Sequence, residues 1–306
     1  MLSDLHITNF RGFEELRLEN LGRVNLIVGK NNTGKTSLLE ALTFVVTLQQ
    51  PGHLRSMYRS YPREEGHFDH WLIRDGAGSD EAHIAATADG LARSCKILIR
   101  RSPDATSKKD TFVESPAEAS AFPVHVQSAI GGSSDLILPF AETVRRNGGE
   151  RTLEEVMRAV DPRIRTIRLS AGRSNQTFIE VDLGLSARMP ITQAGEGLSR
   201  VLTLLVQLLG ADPQFAFLDE IENGIHHTAL PQVWKGIAEV AERMKVQIFA
   251  TTHSHECLEA AHEAFAERSS YDLRVIQLYR VDQKTDGRVL DRRLIEAALT
   301  GDVDLR

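Results

Sequence analysis

The hydrophobic pattern of the first fifty residues changes its period twice. Apolar residues alternate with polar ones on both sides of an Arg11-Gly12 turn, which predicts a pair of antiparallel strands. Val24–Val28 is a short, mostly apolar run, typical of a buried strand. After a loop that contains glycine, apolar residues recur at helical spacing over Lys35–Gln50, and Pro51 is the expected end of that helix.

Beyond Pro51 the pattern predicts irregular segments first and alternating helices and strands later. Residues 51–80 are rich in Gly, His, Arg and Asp and predict an irregular surface segment, and Lys108–Ala119 predicts a loop. The predicted strands are Ala82–Ala88, Cys95–Arg100, Val124–Gln127, Arg163–Leu169, Thr177–Leu183, Phe215–Leu218, Val246–Thr251 and Leu273–Arg280. The predicted helices are Glu150–Val160 with Thr152 as its N-cap, Gly197–Leu209, Pro231–Arg243 and Glu256–Glu267. This order favours an α/β fold with a mixed or parallel core sheet.

Composition and charge set bounds but name no function. The 306 residues are 42% hydrophobic and 25% charged, as in ordinary globular proteins. We find no apolar run of the ~18 residues that a membrane span needs, and no secretory signal at the start of the sequence. Two cysteines do not make a disulfide framework, so we expect a reducing, cytoplasmic location. The net charge of −6 gives no electrostatic argument for nucleic acid.

Residues 29–36 complete the pattern G-x-x-x-x-G-K-[ST], between the buried strand and the helix. Glycines let such a loop turn several N–H groups toward one anion, and the helix adds its positive N-terminal end. Lys35 is expected to reach the β- and γ-phosphates of ATP, and Thr36 to bind Mg²⁺. The candidate nucleotide-binding residues are Gly29, Lys30, Asn31, Asn32, Thr33, Gly34, Lys35, Thr36 and Ser37. A chance match in this length is roughly a one-in-a-hundred event.

Two further strand ends predict the rest of the site. The apolar run Phe215–Leu218 ends in two carboxylates, of which Asp219 is expected to hold Mg²⁺ through water and Glu220 to polarise the attacking water. The apolar strand that ends at Thr251 is followed by His253, which is expected beside the acidic strand, in contact with the γ-phosphate or the water. The alternatives are a solvated strand end for the acids and a structural or exposed role for the histidine.

Longer stretches resemble the ATPase heads of the OLD/RecF/SMC group, which are ABC-type P-loop NTPases. The resemblance lies in ITNFRGFEELRLENLGRVNLIVGKNNTGKTSLLEAL (Ile7–Leu42), FLDEIENGIHH (Phe217–His227) and ATTHS (Ala250–Ser254). It covers most of residues 2–50 and 177–255. It implies one head over residues 1–306, with a nucleotide-binding core at 1–50 and 177–306. Residues 51–176 would then be an insertion that carries a β lobe and a helical lobe, and an antiparallel β lobe is expected near the N-terminus.

The resemblance also implies a composite site between two heads. ITQAGEGLSRVLTLL (Ile191–Leu205) occupies the position of the signature loop, which touches the γ-phosphate held by the other subunit. Gly195 and Gly197 permit close backbone approach to that phosphate. The signature serine of the family is not evident, because Ala194 and Glu196 flank Gly195. Because the implied site is shared between two heads, an ATP-dependent homodimer is expected. The alternative for this segment is a helix start that is rich in glycine and has no role at the nucleotide.

Several single residues have two interpretations. Arg11 can lie near the nucleotide, and Arg200 can contact phosphate or a partner or can be a surface residue. His226 falls where the family places its D-loop, although a capping or surface histidine explains it equally well. Residues 163, 165 and 168 are arginines that can touch a phosphate backbone, but a solvated edge strand explains them better.

The sequence predicts a Mg²⁺-dependent ATPase that acts as a switch in DNA metabolism or anti-phage defence. We expect no Toprim nuclease domain, because too few residues follow Ser254, and therefore expect any nuclease or toxin to be a separate partner. DNA is a possible target. One alternative is a nucleotide sensor that hydrolyses slowly or not at all, which the departure at the signature motivates. A transporter ATPase subunit is a weaker alternative, because the acidic motif and the opening segment differ from those of transporters.

Overall fold

A computed structural model of the chain describes residues 1–48, 72–74, 81–101, 109–114, 121–127, 136–146, 148–171, 177–211, 213–282 and 284–301. The strands within these ranges are β1 (Leu2–Phe10), β2 (Phe13–Leu18), β3 (Val24–Val28), β4 (Glu81–Ala88), β5 (Leu91–Arg101), β6 (Lys109–Glu114), β7 (Val124–Gln127), β8 (Thr166–Ala171), β9 (Thr177–Asp182), β10 (Met189–Pro190), β11 (Phe215–Leu218), β12 (Gln247–Thr251), β13 (Leu273–Val281) and β14 (Lys284–Leu290). The helices are α1 (Lys35–Thr47), α2 (Ile137–Arg145), α3 (Gly149–Val160), α4 (Glu196–Ala211), α5 (Leu230–Met244), α6 (His255–Ala266) and α7 (Arg292–Thr300).

The central sheet has six strands in the order β14-β13-β3-β12-β11-β7. All neighbours are parallel except β13 and β14. Strands β3, β11 and β12 are buried along their whole length, as expected for apolar runs that are covered on both faces. Because they run parallel, their carboxyl ends meet at one edge of the sheet, which is where α/β proteins bind ligands.

Different layers cover the two faces of this sheet. One face packs against α1 and a five-stranded antiparallel sheet of order β2-β1-β4-β5-β6, in a hydrophobic core that includes Phe217 and Phe249. The other face packs against helices α2 to α7, through residues such as Ala216 and Ile248. A third sheet, β10-β9-β8, leads into the 3-10 turn before α4. The predicted α/β fold with an antiparallel lobe is present.

Gln247, the first residue of β12, joins the antiparallel lobe to the central sheet. Its fully buried side-chain oxygen accepts the Leu2 N–H at 2.7 Å. Its amide nitrogen donates to the carbonyl oxygens of Leu2 at 2.8 Å and Gly22 at 2.7 Å. A buried amide is costly unless its hydrogen bonds are made, and here both of its polar atoms are bonded. This side chain therefore fixes where the first strand lies.

Some predicted elements are wrong or incomplete. Residues 109–114 of the predicted loop Lys108–Ala119 form β6, which pairs with β5. The predicted end of α1 at Pro51 is also wrong, because the helix ends at Thr47 and Leu48 takes a left-handed conformation. Thr152 is not an N-cap: α3 follows Gly148, and the Thr152 hydroxyl donates to the Gly148 carbonyl at 3.0 Å.

Residues 51–176, the predicted insertion, contribute strands to three different sheets. Strand β7 lies inside that segment yet pairs with β11 in the central sheet, and β1 pairs with β4 across the boundary. The predicted surface segment 51–80 lies outside the described residues except for 72–74. In the described part of the chain, every helix is too short or too polar to cross a membrane.

Candidate nucleotide-binding site

The loop between β3 and α1 has a backbone that only glycine can supply at two positions. Gly29 has φ 150° and Gly34 has φ 93°. A Cβ on Gly29 would lie 2.4 Å from the Leu278 carbonyl oxygen, and one on Gly34 would lie 3.0 Å from the Phe13 ring. Residues of the neighbouring strands β2 and β13 therefore pack closely against the loop and leave no space for a side chain at either glycine. The tight turn of the loop is the geometry that binding of an anion by backbone N–H groups requires.

Lys35 turns its side chain back into this loop. Its ammonium group donates to the carbonyl oxygens of Gly29 at 2.6 Å and Lys30 at 3.0 Å. Burial lowers the pKa of Lys35 to about 8, and the nearby carboxylate of Asp219 offsets only part of that effect. The lysine is therefore a poorly solvated cation, and a bound phosphate would stabilise its charge.

Thr36 and Asp219 lie together, although 183 residues separate them along the chain. The Thr36 hydroxyl donates to the carboxylate of Asp219, at 3.2 Å from Oδ2 and 3.4 Å from Oδ1. The Thr251 hydroxyl, at the end of β12, donates to Oδ1 of the same carboxylate at 2.6 Å. A buried carboxylate thus faces the first turn of α1.

Glu220 and His253 follow the ends of β11 and β12. Glu220 has φ 47°, and its carboxylate lies 3.8 Å from Nε2 of His253. The side chains of Glu220 and His253 are 43% and 38% exposed, so both can meet a ligand from solvent. The backbone N–H of His253 donates to the Glu222 carboxylate at 2.6 Å. The acidic pair and the histidine therefore form one cluster, as the strand order predicts.

The signature segment contacts the turn that follows the acidic strand. Glu196 accepts a hydrogen bond from the backbone N–H of His226 at 3.2 Å. A Cβ on Gly197 would lie 2.9 Å from that of Ala229, whereas one on Gly195, with φ 122°, would meet open space. Gly197 therefore serves packing within the chain, and Gly195 presents its backbone outward.

Two residues with open interpretations now have defined contacts. Arg11 pairs with Glu40 on α1 through two hydrogen bonds, of 3.0 Å and 3.2 Å. His226 caps a short 3-10 helix, because its ring accepts a hydrogen bond from the Thr228 N–H at 3.5 Å. Both contacts lie within the chain, and a role for either residue at the nucleotide or at a second subunit stays a prediction.

The other flanking arginines differ from one another. Arg200 is half-buried on α4, and this burial lowers its pKa. Arg163 pairs with Asp161 just before β8, which is an edge strand. Arg280 lies beside the glycine loop and donates to the Asn32 carbonyl at 3.0 Å.

Sequence reasoning missed the part that Thr251 plays. Its hydroxyl touches Asp219, and it accepts a hydrogen bond from the backbone N–H of Glu220 at 2.7 Å. The available signal was a threonine at the end of a buried strand, two residues before His253. The sequence placed this strand end beside the acidic strand, but no local pattern shows that the threonine hydroxyl bonds to Asp219.

Comparison with known proteins places the chain in a family. A family described as "AAA domain, putative AbiEii toxin, Type IV TA system" matches residues 95–259, which is more than half of the chain. The chain belongs to this family. A second description, "AAA ATPase domain", matches residues 1–96.

The relatives agree with this placement. An ATP/GTP phosphatase of Helicobacter pylori is 21% identical over 333 aligned positions, which cover 88% of this chain and 89% of that protein. Shorter matches are an uncharacterized protein of Methanocaldococcus jannaschii, 52% identical over 50 residues, and the DNA replication and repair protein RecF of Clostridioides difficile, 49% identical over 41 residues. The first covers 16% of this chain and 23% of the relative, and the second covers 13% and 11%.

Solved structures with the same fold are SMC heads. An SMC head bound to the C-winged helix domain of ScpA has a TM-score of 0.57 at 15% identity, over 95% of this chain and 97% of that one. The SMC head domain from Thermotoga maritima has a TM-score of 0.54 at 12% identity, over 95% and 99%. The likeness to these structures confirms the predicted fold class, that of an ABC-type ATPase head. The AAA ATPase family models and the ATP/GTP phosphatase and RecF relatives support the predicted family.

Proposed function

We propose that this head binds ATP with Mg²⁺ in the loop Gly29–Ser37 and hydrolyses it to ADP and phosphate. The observation that carries the proposal is the contact between Thr36 and Asp219, with the Lys35 ammonium held in the same loop. Nothing in the local sequence requires residues so far apart to meet. A P-loop NTPase requires it, because the hydroxyl and the carboxylate hold one metal ion.

The residues fit a magnesium site. A hydroxyl and a buried carboxylate are hard oxygen donors, and Mg²⁺ commonly uses one or two carboxylates together with substrate phosphates. A cage made of protein alone is not expected here, and the described residues hold no cluster of three or more His, Cys, Asp or Glu suited to a metal. Thr36 and Asp219 would hold the ion, which neutralises charge on the phosphates.

The remaining groups have distinct roles in the proposed reaction. Lys35 stabilises charge on the β- and γ-phosphates. Glu220 orients and polarises the attacking water, and its partial exposure leaves room for that water. His253, 3.8 Å from Glu220, contacts the γ-phosphate or the water.

We further propose that a second copy of the chain closes the site. Support comes from Gly195, whose backbone faces open space at the N-terminal end of α4, where an anion is favoured. The hydrogen bond between Glu196 and His226 places this segment in contact with the turn after the acidic strand.

The output of the switch is proposed from the relatives. The family description names a toxin system, one matching head is bound to a domain of ScpA, and RecF is named for DNA replication and repair. We propose a cytoplasmic ATPase that works with a nuclease or toxin partner, with DNA as a regulator. ATPase rates measured with and without DNA test the last part.

The decisive experiment compares three chains. Wild type should release phosphate from ATP in a Mg²⁺-dependent way. The rate of phosphate release by Lys35→Ala should be lower by at least about 100-fold, because the lysine ammonium stabilises charge in the transition state. Lys235→Ala, which removes a lysine that pairs with Glu267 on the surface, is the control. A Lys35→Ala chain that still hydrolyses ATP overturns the assignment. Tight binding without turnover, even with DNA added, would favour the nucleotide sensor.

Dimer formation is tested separately with Glu220→Gln, which should bind ATP and hydrolyse it slowly. We expect its mass in solution to double when ATP and Mg²⁺ are added, measured by light scattering after gel filtration. A monomer under saturating ATP removes the composite site from the proposal.

A further inference from the structure

One hydroxyl group, that of Thr251, contacts both residues of the acidic pair. It donates to Oδ1 of Asp219 at 2.6 Å and accepts the backbone N–H of Glu220 at 2.7 Å. The Thr251 carbonyl also accepts the N–H of Ile221 at 3.1 Å. Three consecutive residues at the end of β11 are therefore bonded to one fully buried residue of β12.

The bond to Asp219 fixes which way the carboxylate points. With Oδ1 bonded to Thr251, Oδ2 is the oxygen nearer the Thr36 hydroxyl, at 3.2 Å. A carboxylate is free to turn about its bond to Cβ unless hydrogen bonds hold it. Partners of metal-binding carboxylates orient them in this manner.

The bonds to Glu220 and Ile221 fix the backbone where the chain leaves the sheet. Glu220 has φ 47°, a left-handed conformation that is unfavourable for a residue with a Cβ. Such a conformation persists only where surrounding contacts hold it. Here the N–H groups of Glu220 and of the next residue are both bound by Thr251, and the Glu220 side chain consequently points toward His253.

We propose that Thr251 is a positioning residue that sets the orientation of Asp219 toward the metal and of Glu220 toward the water. This inference rests on the proposed ATPase function. The hydroxyl, rather than the shape of the side chain, is what matters: valine has nearly the same volume and would pack equally well in a strand.

The test uses Thr251→Val and, in case valine is not tolerated, the pair Thr251→Ser and Thr251→Ala. Serine keeps the hydroxyl and alanine lacks it, while both lose the methyl group. The matched control is Thr143→Val, which removes another fully buried hydroxyl, one that donates to the Val206 carbonyl in α4 at 3.2 Å. Folding is checked by circular dichroism.

Two quantities are measured, the affinity for a fluorescent ATP analogue with and without Mg²⁺, and the steady-state kcat and KM for ATP. For Thr251→Val we expect the wild-type affinity for the ATP analogue when Mg²⁺ is absent. Adding Mg²⁺ should increase that affinity much less than it does in wild type, and kcat should be lower by about 10- to 100-fold. Thr251→Ser should recover to within about threefold of wild type, and Thr251→Ala should not.

The inference is overturned if Thr251→Val keeps the wild-type kcat and the wild-type gain from Mg²⁺, or if serine and alanine behave alike. A wild-type chain with no ATPase activity would instead refute the proposed function. The two failures are therefore distinguishable.

Discussion

The ion pair between Arg11 and Glu40 ties the first hairpin to the helix that follows the glycine loop. Arg11 lies in the turn between β1 and β2, and Glu40 lies on α1. Their side chains are only 13% and 7% exposed. Replacing Glu40 with glutamine removes the negative charge but keeps one acceptor, and so leaves a guanidinium in a site with little water.

The loss of unfolding free energy caused by Glu40→Gln can be estimated from these exposures. Removing one partner of a buried pair costs about 3–5 kcal/mol, and the retained amide oxygen brings the expected loss to about 3 kcal/mol, since one hydrogen bond to the charged guanidinium is kept. At roughly 2–4 °C per kcal/mol for a large domain, Tm should fall by about 6–12 °C. Glu15→Gln is the control, because its pair with Arg17 is 55% and 67% exposed and should contribute at most about 1 kcal/mol.

The assay is thermal unfolding by circular dichroism, followed by ATPase rates at a temperature where every variant is folded. We expect Glu40→Gln and Arg11→Gln to lower Tm to a similar extent and to keep kcat within about twofold. An unchanged Tm for Glu40→Gln would show that the pair does not stabilise the fold. If Arg11→Gln loses activity while Glu40→Gln keeps it, Arg11 contacts the nucleotide after all.

Three further results follow from the structure. Burial lowers the pKa of Lys35 to about 8 and a bound phosphate would raise it, so ATP binding should take up a proton above pH 8. The affinity for ATP should therefore fall by up to about tenfold for each unit by which the pH rises above 8. An affinity that is constant between about pH 7 and pH 9.5 contradicts this for wild type and is the result expected for Lys35→Ala. Burial raises the pKa of Cys95 and of Cys257 to about 12, so neither thiol should react with a disulfide reagent at pH 8 until urea unfolds the chain, and rapid labelling of native protein would disprove it. Gly236→Ala would place a Cβ 2.6 Å from a methyl carbon of Val201, and should destabilise the fold by about 1–2 kcal/mol in urea titrations despite the better helix propensity of alanine. Adding Val201→Ala should recover part of this lost stability, whereas strictly additive effects of the two substitutions would refute the clash.

Sequence patterns predicted the parts of this molecule that depend on local spacing. The glycine loop, the acidic strand end and His253 each lie within a short segment whose hydrophobic pattern shows a buried strand, so their place at one sheet edge follows from the parallel order. The family resemblance also rested on contiguous residues, and the comparisons confirm it.

Elements with few apolar residues escaped prediction. Helix α7 buries only Ile295 and Ala298, so the segment looks like a polar tail, although the Asp291 carboxylate accepts the Leu294 N–H as an N-cap. Helix α2 has Pro139 in its first turn, which is tolerated there but also typical of a loop.

Pairings between distant segments were beyond sequence reasoning for a different reason. One antiparallel sheet combines strands within residues 2–18 with strands within residues 81–101 and 109–114, and no local pattern links them. Thr251 was missed for another reason, because its own segment does not show which group its hydroxyl contacts on the neighbouring strand. The predicted roles of Gly195 and His253 in the reaction stay predictions until turnover is measured.

Gln247 and Thr251 stand at opposite ends of the same short strand. The Gln247 side chain is hydrogen-bonded to Leu2 at the start of β1, and the Thr251 hydroxyl is hydrogen-bonded to the acidic pair. Each end of β12 is therefore bonded to a different part of the fold. Partial detachment of the N-terminal lobe would break the hydrogen bonds of Gln247 and loosen the catalytic edge with it. Amide hydrogens of β1 and of β12 should therefore exchange with solvent through one shared opening event, and a ligand that slows exchange at one should slow it at the other.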